Sequence, residues 1–208
     1  MNDDLTNGSG VFVSRLFIHP DYDDETRTHN IAVWKLSKPI MFGAIQPACL
    51  PINGYNVHST MSECYVAGWT RIDTGSAEHN MMEYPMKMDT SAWCESDLGL
   101  AANSGYVCAK HIRLNKSGFR GTDDSEPLLC KNRGQWHLVG VASHTHIGSR
   151  STRRLYTSVH LNNQWLNDVI TMTSSTSYKS QNIEKLSSKA IDRTMIDAMA
   201  MKKWFETQ

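Results

Sequence analysis

The stretch Thr122-Asp123-Asp124-Ser125-Glu126-Pro127-Leu128-Leu129-Cys130 decides the reading of this 208-residue chain. A polar turn runs into a short β-type run, Leu128–Cys130, that ends on a cysteine. Working outward, runs of the same kind recur at Val11–Ile18, Ile31–Leu36, Tyr65–Ala67, Tyr106–Ala109, Trp136–Ala142 and Leu155–Val159. Turn-forming stretches separate them, which is the pattern of an all-β barrel. Trp136–Ala142 is apolar enough for a core strand. Leu161–Met172 breaks the pattern, because Leu161, Trp165, Val169 and Ile170 can share one helical face. Residues 1–10 read as a flexible start and residues 171–182 as a polar linker. Between Ile183 and Phe205 apolar residues return at helical spacing, so residues 183–208 are expected to form a helical tail.

Several segments carry more in order than any carries alone. Phe17-Ile18-His19-Pro20-Asp21-Tyr22 comes first, then Asn30-Ile31-Ala32-Val33-Trp34-Lys35-Leu36. Ile45-Gln46-Pro47-Ala48-Cys49-Leu50-Pro51 and Cys64-Tyr65-Val66-Ala67-Gly68-Trp69 follow, and Arg154-Leu155-Tyr156-Thr157-Ser158-Val159 precedes Gln164-Trp165-Leu166. This series resembles the trypsin/chymotrypsin-like serine proteases. Their corresponding motifs are His-Pro-x-Tyr, Asp-Ile-Ala-Leu-x-Lys-Leu, x-Pro-x-Cys-Leu-Pro, Cys-x-x-x-Gly-Trp-Gly, Gly-Val-Tyr-Thr-x-Val and the Trp-Ile of a closing helix. The opening stretch resembles the family's nucleophile loop, Gly-Asp-Ser-Gly-Gly-Pro-Leu-Val-Cys. The resemblance implies a partial trypsin-like domain over residues 11–170. Its fold would be a double β-barrel with an incomplete first barrel, an intact second barrel and a C-terminal helix. The family's segment bearing the catalytic histidine has no counterpart here.

The residues that would carry proteolysis are changed. Serine-protease chemistry needs a nucleophile, a general base and an orienting carboxylate, and replacing that carboxylate by an amide costs about 10⁴ in turnover. By resemblance the carboxylate position is Asn30. Counting back from Pro127, the nucleophile position is Asp124. A register with one deletion makes Ser125 the nucleophile instead, and the gapless register is preferred. The loop's glycines, which let backbone N–H groups converge on an oxyanion, are replaced at Thr122, Ser125 and Glu126. The base of the specificity pocket falls on Gly118, or on Phe119 in the gapped register. His144 takes the place of a tryptophan lining the cleft, and Arg154 that of a glycine in the pocket wall. A long cation at Arg154 would fill or guard the pocket. His29, next to Asn30, is expected to point away along a strand.

The five cysteines argue for an oxidising compartment. The resemblance pairs Cys64 with Cys130 and Cys94 with Cys108, and leaves Cys49 over. Cys49 would join a protein partner or an upstream segment. The chain has no signal sequence and no apolar run of membrane-span length, so extracellular placement is expected from the cysteines alone. Balanced charge, with 21 basic and 21 acidic residues, points to no nucleic-acid partner. No cofactor or metal is expected, since phosphate-binding glycine loops, Cys-x-x-Cys and His-Glu-x-x-His are absent. His144-Thr145-His146 reads as a surface loop.

The leading expectation is a catalytically inactive protease homologue whose surface binds a protein partner. The alternatives are an active endopeptidase using Ser125 with a histidine from upstream sequence, and a non-functional fragment.

Overall fold

The computed structural model describes residues 11–40, 46–51, 63–68, 82–89, 105–112, 126–144 and 153–174. Two strands, β1 (Val13–Ile18) and β2 (Ala32–Leu36), pair antiparallel in a sheet of their own. Six strands close a barrel: β3 (Glu63–Gly68), β4 (Met82–Asp89), β5 (Tyr106–His111), β6 (Pro127–Asn132), β7 (Gln135–His144) and β8 (Arg153–Ser158). Their order around the barrel is β3-β4-β5-β8-β7-β6, every pair is antiparallel, and β6 closes back on β3. The helix α1 (Asn163–Ser174) follows. The fold is the expected one: mostly β, with one closed barrel, a second sheet and a C-terminal helix.

The barrel fills with its own inward side chains. Val66, Met86, Val107, Ala109, Leu128, Val139, Ala142 and Tyr156 pack around the buried Cys64 and Cys130. Burial of such side chains, worth about 1.5–3 kcal/mol each, is the main force holding the barrel closed. The neighbouring Leu129 faces the other way, packing with Ala67, Ala48 and Trp136. Both faces of β6 are therefore buried, which explains its unbroken Leu-Leu-Cys run. Outside the barrel, Ile31, Val159 and Leu166 join Val33, Leu138, Val141 and Trp165. This second cluster ties the β1–β2 sheet, the barrel wall and α1 together.

Two backbone features set the register. The β6–β7 hairpin turns on Arg133 and Gly134, whose φ values are 48° and 84°. Two positive φ values in a two-residue loop match the twist of the flanking strands. A bulge then shifts the β6–β7 pairing between Leu128 and Leu129. It leaves Val139 in the interior and turns Gly140 toward β8, where a Cβ would sit 2.6 Å from Tyr156 Cβ and 3.1 Å from Val107 Cγ2. Tyr156 Cβ is anchored to its strand and cannot retreat. Gly140→Ala should therefore destabilise by about 1–3 kcal/mol, the usual range for overpacking. Urea denaturation reads this directly, and an unchanged midpoint would contradict the packing.

Three sequence readings are corrected. Strand β4 is absent from the expected elements. Its Pro85 lacks an N–H and its residues, Met-Glu-Tyr-Pro-Met-Lys-Met-Asp, make no apolar run. The strand survives because Pro85 still pairs with Tyr65 and accepts a bond from Ile112 N at 3.2 Å. The helix begins at Asn163 rather than Leu161, because Asn162 precedes it: Leu166 N donates to Asn162 O at 3.0 Å. It runs on to Ser174, into the stretch read as linker. His29 does not lie on a strand but in a turn, with φ of 50°. The flexible start 1–10 and the tail 183–208 lie outside the described residues.

Candidate functional site

The site is built where the β1–β2 loop meets the barrel. This loop, residues 19–31, folds on itself. Asp23 accepts from Thr26 N at 2.7 Å and Thr26 Oγ1 at 2.9 Å, and these bonds hold its carboxyl below the usual range. Asp23 N reaches Thr28 O at 3.3 Å, and Ile31 N reaches His29 O at 2.7 Å, a tight turn centred on Asn30. The left-handed residues Arg27 and His29 bend the chain just before it.

That folding delivers Asn30 to a defined place. Its Nδ2 donates to Ser143 Oγ at 3.3 Å, and the Ser143 hydroxyl in turn donates to Arg27 O at 3.5 Å. Tyr106, at the start of β5, donates to Thr26 O at 3.3 Å. The loop is thus held by β5 and β7 of the barrel. Ser143 is 4% exposed, and its hydroxyl bridges the barrel to the loop. Sequence reasoning missed Ser143, 113 residues from Asn30. Chemically, Asn30 can orient a neighbour by hydrogen bonding but offers no negative charge to an imidazolium. Among the described residues its side chain bonds Ser143 and no histidine.

The other readings separate. His29 turns to Asn162, with Nδ1 at 2.8 Å from Oδ1, and stacks on His19. It therefore serves the junction with α1 rather than Asn30. His144 ends β7, opposite Leu155, and its side chain lies outside the described residues. Asp124, Ser125, Gly118, Thr122, Phe119 and Cys94 also lie outside them.

The sequence reads Arg154 as a long cation that would fill or guard a pocket, and its side chain is buried. It is 8% exposed and forms a buried ion pair with Glu126, itself 4% exposed. Glu126 and Arg154, two positions where the resemblance expects glycine, meet in space. The surroundings respond. Burial, and then the positive charge of Arg154, lower the His111 pKa to about 4. Burial raises the Tyr156 phenol well above its ordinary range, against the opposing pull of Arg154. The charges at 126 and 154 were visible in the sequence, and their opposite signs were the signal that could have paired them.

Cys64 and Cys130 form a disulfide between β3 and β6. Cys108 is also disulfide-bonded. Cys49 is a free, half-buried thiol whose backbone runs beside β7, donating to Trp136 O at 2.8 Å and accepting from Leu138 N at 2.9 Å. Among the described residues no group of three His, Cys, Asp or Glu side chains could hold a metal, and no helix is long and apolar enough to cross a membrane.

Comparison with known proteins agrees with this architecture. The family model described as Trypsin matches residues 3–166. Transmembrane protease serine 9 of Rattus norvegicus is 29% identical over 163 residues, which cover 76% of this chain and 15% of the relative. The chain therefore spans a small part of that relative's length. The closed barrel, the disulfide between β3 and β6 and a match over most of the sequence lead to one conclusion: the chain belongs to the trypsin family.

Proposed function

We propose that this domain does not hydrolyse peptides and acts outside the cell as a protein-binding module. The observation that carries the reading is Asn30, which the resemblance assigns to the carboxylate position and whose side chain bonds Ser143. A neutral amide there removes the charge that would stabilise the imidazolium during attack. The buried Glu126–Arg154 pair supports the same reading, because it places two charged side chains where the family has glycines. Asp124 in the nucleophile place, and the loss of glycines at Thr122, Ser125 and Glu126, weaken both attack and oxyanion binding. Gly118 and His144 would complete an altered pocket, unsuited to a basic side chain of substrate.

Placement outside the cell is supported by the disulfides, which persist in oxidising compartments. The free Cys49 is the point of attachment to a partner or a further segment. We read residues 11–170 as the domain, continued by the helix to Ser174, with 183–208 as a separate tail.

A serine-directed phosphonate and a peptide library test the reading together. No labelling and no cleavage above a heat-denatured control is the expected result. Labelling that disappears in Ser125→Ala would overturn it and make Ser125 the nucleophile.

A further inference from the structure

The junction between the β1–β2 loop and α1 holds a pair of histidines that the proposed function does not use. His19 is 7% exposed. Its ring stacks on His29, with centroids 4.4 Å apart and planes 13° from parallel. It also meets Trp165 of α1, with centroids 4.8 Å apart and planes inclined by 53°. His19 Nδ1 accepts from Asp21 N at 3.2 Å, which is possible only for the unprotonated nitrogen of a neutral ring. Asn162 Nδ2 donates to Ser158 O at 2.7 Å, so its Oδ1 faces His29 as an acceptor, 2.8 Å from Nδ1. The stack therefore links β1, its loop and the start of α1, and the Asp21 N–H bond that holds the His19 ring in place requires that ring to be neutral.

We propose that the His19–His29 stack is an acid-released clasp holding the β1–β2 sheet against the C-terminal helix. Protonating His19 turns the Nδ1 acceptor into a donor facing the Asp21 N–H, and sets a cation against the second imidazole. Burial and then the neighbouring His29 lower the His19 pKa, while Asp21 opposes them. Trp165 and Asn162, the groups that α1 and the turn before it present to the stack, are uncharged. His160, on that same turn, is a third imidazole, with Nδ1 buried and unbonded among the described residues.

The sign follows from linkage. A histidine whose folded pKa is lowered leaves the opened state binding more protons below about pH 6.5. The clasp is then fully effective above that pH and weakens as pH falls through it. One histidine with a lowered pKa in the closed state gives at most about a tenfold rise in opening between pH 7.5 and 5.5.

Amide hydrogen exchange on the full chain, corrected for the intrinsic rate, reads the clasp. His111 makes the barrel acid-sensitive as well, so the measured quantity is the difference between the parent and His19→Phe. The parent should lose more protection, by up to about tenfold, at Phe17 and Val33 than His19→Phe does across this range. An equal loss in both would overturn the clasp. Should His19→Phe fail to fold, an NMR titration of the parent decides. A His19 pKa below the ordinary value supports the proposal, and one at or above it overturns it.

Discussion

Glu126→Ala should destabilise the domain by about 3–5 kcal/mol, a large share of the roughly 5–15 kcal/mol that holds an ordinary domain folded. The carboxylate of Glu126 and the guanidinium of Arg154 are both buried, and each is the other's countercharge. Removing Glu126 takes a buried countercharge from a cation that lies beside Tyr156 and His111, where burial limits its solvation. Arg154→Met should be damaging for the mirror-image reason, leaving a buried carboxylate. The double replacement Glu126→Ala/Arg154→Met removes both desolvation costs along with the attraction. It should fall well short of the sum of the two losses and lie within about 1–2 kcal/mol of the parent. Urea denaturation of the four proteins measures the coupling. Additive losses would mean that the two side chains act independently, against their contact. A second readout comes from His111, whose pKa is lowered to about 4 by burial first and Arg154 second. In Arg154→Met its titration should move upward, because the positive charge is gone while the burial remains.

The same pair shows where sequence reading stops. Strands β6 and β7 are legible because their apolar runs are bounded by turns, and because both faces of β6 are buried. The family resemblance located Asn30 and Arg154 by number. It could not give their partners, because Asn30 meets Ser143 only where the β1–β2 loop docks on the barrel, and Glu126 meets Arg154 only across the barrel strands, 113 and 28 residues apart. Arg154 reads as a cation that would fill or guard a pocket, and the sequence names no partner for it. Glu126, chosen at another glycine position, is what allows it to turn inward. His29 was misread for a local reason. Its left-handed φ is imposed by the fold of the 19–31 loop, whereas the adjacent β-type run implied an extended chain. Strand β4 was hidden by Pro85, a residue that argues against a central strand unless its missing N–H has no role in the ladder.

Breaking the Cys64–Cys130 bond should cost about 4 kcal/mol, the loop-entropy value for a sequence separation of 66. The bond's position makes its loss specific. Around the barrel, β3 and β6 are the strands whose pairing completes the closure, with Cys64 directly opposite Cys130. The remaining neighbours along the barrel follow as hairpins or through β8, but the β3–β6 seam joins strands far apart in sequence. Without the covalent link, the chain must close that long loop by packing alone. Both sulfurs also lie in the core, at 6% and 0% residue exposure, so Cys64→Ala/Cys130→Ala adds a modest packing loss. Hydrogen exchange should locate the effect, with Tyr65, Val66 and Leu129 losing more protection than the β5–β8 pairing across the barrel. Chemical denaturation of the double-alanine variant gives the magnitude. A loss below about 1 kcal/mol would mean that the unfolded chain already holds these strands together, and that the disulfide restrains little.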